Sequence, residues 1–279
     1  MRKGLVALAV LLLISTVAGW NGHPLQADDG IPIDMNPSEE CLDLVPHLPT
    51  DVTRGTLTAD IVVALDGVSR DAASKIMAQA AEAYAPSDVA QLSPDVKLNV
   101  IAYHDLTGKL KSSEVTGFVV EEHPQGDDLM SELIRYYHGS YPKLRRDHVH
   151  LFTNKNLYLD VDGMKFDAVL GITNCLGGIG TKYSYTIAEA GHDERVDIGP
   201  LRFLADLDAK TTAHEIGHAF GAQHHYANCV QFVPTAALNR TGDVCSLMFN
   251  DAEVIDLHFG AAEVAAVRGT AEAHLKHKH

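Results

Sequence analysis

Positive charge is scarce in this chain. Lysine and arginine number 22 against 37 aspartates and glutamates, a formal net charge of −15. The one basic cluster, Lys143, Arg145 and Arg146, reads as a solvated turn after Pro142. Nothing here could neutralise a row of phosphates, so a nucleic-acid partner is excluded. The acidity also disfavours an anionic membrane as a stable partner. Cysteine is sparse too: Cys41, Cys175, Cys229 and Cys245 contain no C-x-x-C pair, which argues against a structural cysteine–zinc site. The glycines Gly177, Gly178 and Gly180 lack the Lys-Ser/Thr ending of a phosphate loop and read as a turn joining strands near a cleft. No internal repeat is visible. The apolar run Leu5–Ile14 is too short for a membrane span.

That run reads instead as part of an export signal. Arg2 and Lys3 precede it, and the small residues Val17-Ala18-Gly19 follow as a cleavage site. The expected location is therefore secreted or extracytoplasmic, with an uncleaved N-terminal anchor as the alternative. In an exported chain an even number of cysteines implies two disulfides. Three connectivities exist, and Cys229–Cys245 with Cys41–Cys175 is favoured. Residues 20–56 carry many Pro, Asp, Asn and Thr and little periodicity, as an N-terminal extension or short pro-segment would. Cys41 as an inhibitory thiolate on a metal is the alternative to a disulfide partner.

The remaining residues, 57–279, read as one domain, and with 46% apolar residues the chain can bury a substantial core. Apolar or alternating runs predict strands at 60–66, 96–104, 148–153, 168–173 and 183–188. Helical spacing predicts helices at 70–85, 127–138 (capped by Asp127 or Asp128), 201–220 and 260–275. His148 and His150, two apart, share one strand face. They are expected on a half-exposed face, with a second metal site as the alternative. Residues 225–244 read as a polar loop.

His214 to His224, HEIGHAFGAQH, carries the chemistry. His214 and His218 are one helical turn apart on one face, placed to grip one Zn²⁺. Glu215 can reach the metal region as a general base without ligating. A helix continuing past Gly221 would carry His224 to the wrong side, but glycine can turn the chain at positive φ and return His224 as a third ligand. Three protein ligands leave a position for water, the arrangement of a catalytic zinc site.

With Met248 downstream, the motif His214-Glu215-x-x-His218-x-x-Gly221-x-x-His224 resembles the metzincin zinc metallopeptidases. Within them, the blocks DIVVALD, KLNVIAYH, HVHLFT, VLGITNCLGG and AHEIGHAFGAQHH are most similar to the reprolysin-like, adamalysin-related enzymes. The resemblance implies an α+β, zincin-like fold: a twisted, mixed five-stranded sheet with an active-site helix and a C-terminal helix. It implies one catalytic Zn²⁺ on His214, His218 and His224, Glu215 as general base towards a zinc-bound water, and Met248 as a supporting turn beneath the metal. A structural Ca²⁺ is left open. The substrate would be a protein or peptide laid as an extended strand along the edge at 168–173, cut by a monomeric endopeptidase. A secreted zinc-binding module, or a narrow-specificity maturation or toxin factor, is the alternative. Two positions depart from the pattern: His225 stands where adamalysin relatives have Asp, and Asn250 stands where some metzincins carry a tyrosine ligand.

Overall fold

The computed structural model describes residues 55–86, 93–115, 124–161, 163–167, 169–191, 207–224, 247–248 and 259–275. The chain divides into two units, Met1–Asn36 and Pro37–His279, and every described residue belongs to the second. The expected signal, most of the extension and the 225–244 loop lie outside the described residues.

The strands are Leu57–Asp66 (β1), Val96–Asp105 (β2), His148–Thr153 (β3), Leu159–Val161 (β4), Met164–Phe166 (β5), Gly171–Thr173 (β6) and Tyr185–Glu189 (β7). The described helices are Arg70–Glu82 (α1), Leu129–Ser140 (α2), Leu207–Ala219 (α3) and Ala261–Leu275 (α4). Five strands form one sheet in the order β2-β1-β3-β7-β6, while β4 and β5 make a separate antiparallel pair. From β2 to β7 all pairings are parallel; β6 alone runs antiparallel, at the edge. The sheet is thus mixed, with one reversed edge strand.

Consecutive apolar residues in β1 require cover on both faces of the sheet, and both are covered. Ile61, Val63 and Leu65 pack with Phe152 against residues of α1, α3 and α4. Val62 and Ala64 pack with Val149, Leu151, Tyr185 and Ile187 against α2. The helix starts follow from their caps: the Ser69 side chain accepts from the Ala72 N–H, and the Asp128 side chain from the Ser131 N–H. In α1, Ala73, Ile76, Met77 and Ala80 form the buried stripe.

The helix read at 201–220 is present over Leu207–Ala219, and its residues 201–206 lie outside the described residues. Two expectations are corrected. The strand read at 168–173 forms a ladder only over Gly171–Thr173, and the β4–β5 hairpin before it was not foreseen. The second concerns His148 and His150, which are fully buried at 0% exposure rather than on a half-exposed face. β3 is the middle strand of the sheet. The hydroxyls of Ser184 and Thr186, just before and on β7, meet three of the four ring nitrogens, and His150 Nε2 has no hydrogen-bond partner among the described residues. His148 Nδ1 lies 2.8 Å from Ser184 Oγ, and its Nε2 lies 2.7 Å from Thr186 Oγ1. His150 Nδ1 lies 2.6 Å from the same Thr186 oxygen. Among the described residues the only group of at least three metal-ligating side chains lies elsewhere.

Burial, with the charges of His150 and Arg146, holds His148 well below the ordinary imidazole range, and burial alone pushes His150 down to about 3. Both rings are neutral in the fold, whereas in the unfolded chain they take up protons near pH ~6.5. Their contribution to stability is therefore complete above that pH. It is lost as the pH falls towards the folded values, at roughly 1 kcal/mol per pH unit for each ring. Imidazole NMR signals check this: those of His148 and His150 are expected not to titrate between pH 8 and 5. A ring titrating near 6.5 would contradict it.

Candidate metal centre

Helix α3 packs its Ala209, Ala213 and Ile216 face into the core with Phe220. Upstream, the Tyr84 hydroxyl donates to the Ala213 carbonyl at 2.5 Å, tying the residue before His214 to the end of α1. Downstream, the helix ends as its glycine requires. Gly221 has φ 88°, its N–H donates to His218 O at 2.8 Å, and the Ala222 N–H donates to Gly217 O at 3.0 Å. These are the paired bonds of a Schellman stop, for which glycine pays no Cβ penalty.

That stop brings the three histidines together. His224 Nε2 lies 3.1 Å from His214 Nε2 and 3.0 Å from His218 Nε2. One ligand atom from each of the three rings lies within 4.8 Å of the others. Both helix histidines are oriented from behind. His214 Nδ1 donates to Leu247 O at 2.9 Å, and His218 Nδ1 to Ala222 O at 2.7 Å. A carbonyl oxygen only accepts, so each Nδ1 carries its ring's proton and each Nε2 presents a lone pair. Burial keeps these rings neutral: His214 is pushed down to about 3, His218 well below its ordinary value, and His224 is lowered too. Three ring nitrogens converging at this range, two of them with lone pairs turned inward, suit a shared cation. Tetrahedral Zn–N bonds of about 2.0–2.1 Å set nitrogens roughly 3.3 Å apart, close to the spacing found. The donor set fits zinc, and the Leu247 and Ala222 carbonyls hold the rings by their other nitrogens, as metal-binding imidazoles are held.

Glu215, 7% exposed, turns towards β6. Its Oε2 accepts from Thr173 Oγ1 at 2.7 Å. Burial pushes its carboxyl up to about 7, against the downward pull of that bond.

Met248 is fully buried next to α3. A Cβ on Gly217 would stand 2.8 Å from Met248 Sδ and 3.1 Å from the Phe259 ring. Glycine is therefore needed at 217 for the turn at Leu247–Met248 to sit against the helix. Gly217→Ala gains up to about 1 kcal/mol of helix propensity, but overpacking costs about 1–3 kcal/mol. A lowered urea midpoint is expected, and a raised one would contradict this contact.

The glycines at 177–180 do form a turn, with Gly177 and Gly180 at φ 72° and 78°. It docks on the end of the helix, the Gly177 and Ile179 N–H groups donating to His218 and Ala219 carbonyls at 2.9 Å each. Cys175 is buried, at 1% exposure. The other three cysteines, His225 and Asn250 lie outside the described residues. Sequence reasoning missed Thr173, Gly171, Tyr84 and the Leu247 carbonyl. A hydroxyl two residues from a glycine on an edge strand was the one signal available for the first pair.

A helix-borne imidazole pair, a third imidazole returned by a glycine turn, a carboxylate beside them and a buried methionine define the zinc-peptidase class. The pattern of the reprolysin-like M12B metallopeptidases matches residues 71–225, more than half of the chain, and the chain belongs to that family. Membership implies a zinc cofactor and peptide or protein substrates. Among solved structures, archaemetzincin from Methanopyrus kandleri is similar, with 20% identity and a TM-score of 0.35 over 73% of this chain and 95% of that one. No curated protein matches.

Proposed function

We propose that this zinc peptidase is an exported endopeptidase in which Glu215 is the general base. The observation that supports it most is the convergence of the three rings, with His224 Nε2 3.1 and 3.0 Å from the Nε2 atoms of His214 and His218, on the helix that carries the buried Glu215. His214, His218 and His224 would hold the zinc, which supplies a Lewis acid to acidify water and polarise a carbonyl. Glu215 takes the proton from the attacking water and passes it to the departing amine nitrogen. Met248 supports the helix from below and takes no part in the chemistry. The substrate lies extended along β6, the edge strand of the sheet among the described residues, whose outer backbone groups suit strand addition. A strand laid across the centre has both ends free, which favours internal cuts.

Export rests on the signal at 1–19, with 20–56 as the extension and 57–279 as the catalytic domain. The disulfides are Cys229–Cys245 and Cys41–Cys175. Among the described residues no helix is long and apolar enough to cross a membrane. A peptide-library digest of the purified protein tests the reading. Chelator-sensitive internal cleavage supports an endopeptidase. Trimming from the ends sinks that assignment, and silence points to a binding module or a single-partner factor.

A further inference from the structure

The edge strand does more than border the cleft. Gly171 and Thr173 are two apart on β6, so both face the same side of the sheet, and both meet Glu215. Thr173 Oγ1 lies 2.7 Å from the main-chain oxygen of Glu215 and 2.7 Å from its Oε2. A hydroxyl has one proton, and in the ionised form that acts as base neither the carboxylate nor the carbonyl can donate. That proton therefore serves the two glutamate oxygens by turns or by sharing. Either way Thr173 ties the side chain to its own backbone and occupies Oε2.

Gly171 supplies the space. A Cβ there would stand 2.7 Å from Glu215 Cγ and 3.0 Å from both Cδ and Oε1. Its φ is not positive, so the reason for glycine is room for the glutamate, not backbone shape. Opposite them on β7, Thr186 and Ala188 pair with Thr173 and Gly171 in register. The helix-facing side of β6 is thus a slot open at one residue and hydroxyl-lined at the next.

We propose that Thr173 is the positioning residue for Glu215, with Gly171 as the space that admits it, leaving Oε1 as the proton-accepting atom. The proposal rests on the reading of Glu215 as general base. A three-torsion carboxylate held in one rotamer spends its time where the proton must be taken, and misplacement by about 1 Å can cost 10²-fold in rate.

The test compares wild type, Thr173→Val and Thr173→Ser, each zinc-loaded, by steady-state kinetics on a cleaved peptide and by crystallography. Thr173→Val is expected to lower kcat about 10- to 100-fold, with KM within about twofold and zinc stoichiometry unchanged. Thr173→Ser is expected to restore most of that loss. In the crystals the Glu215 carboxylate should leave its place in the valine variant and keep it in the serine variant. Wild-type kcat in Thr173→Val, an unmoved carboxylate, or equal impairment of valine and serine variants would each overturn the proposal. If wild type cleaves nothing, the general-base reading fails, and the crystal comparison still decides the clamp. If Thr173→Val does not fold, Gly171→Ala decides: with Thr173 intact, its methyl should displace the carboxylate, and an unmoved Glu215 overturns the proposal.

Discussion

Glu215→Gln is expected to keep one zinc per chain and to lose peptide hydrolysis by about 10²–10⁴-fold in kcat, the range a general acid–base group supplies. The amide has the shape of the carboxylate, and its oxygen can still accept the Thr173 hydroxyl that now lies 2.7 Å from Oε2. The slot over Gly171 stays filled, so packing around α3 is preserved. What the amide lacks is basicity: it cannot take a proton from water at neutral pH. The loss should therefore fall on kcat, with KM close to wild type. Metal analysis alongside the kinetics separates a lost base from a lost metal. A Glu215→Gln protein with full activity would remove Glu215 from the mechanism.

His224→Ala carries the second large effect. His224 Nε2 is the vertex that meets both other ring nitrogens, at 3.1 and 3.0 Å. Without it, two helix imidazoles remain, and two ligands do not make a catalytic zinc site. Outer-sphere partners of zinc ligands are worth about 10–100-fold in affinity, so losing the ligand itself should cost more than about 100-fold. Competition against a chromophoric chelator measures this. Because His214 and His218 keep their Nδ1 bonds to Leu247 and Ala222 carbonyls, the helix should remain folded in the variant. Unchanged zinc affinity would take His224 out of the ligand set.

The centre was legible because its geometry is local. A four-residue step on a helix, a glycine stop and a third histidine all fall within His214 to His224, and the Gly221 turn at φ 88° closes as that spacing requires. Long periodic elements were legible for the same reason: α1 and α2 announce themselves through caps and buried stripes. Contacts made across the sequence were not. Thr173 meets Glu215 from 42 residues away, and His148 meets Ser184 and Thr186 from 36 and 38 residues away. Polar alternation in HVHLFT suggests a wet face, yet the hydroxyls of Ser184 and Thr186 meet the two buried imidazoles. The strands β4, β5 and β6 have three residues each, too few for an alternation to register. What made β6 important is not its composition but its place at the sheet edge beside α3.

Zinc-edge anomalous diffraction from crystals of the purified protein tests the central claim most directly. The account predicts one strong anomalous peak, about 2.0–2.1 Å from Nε2 of His214, His218 and His224, lost when the crystals are soaked in chelator. A fully ordered triad with no zinc peak, or a zinc held by other residues, would contradict it.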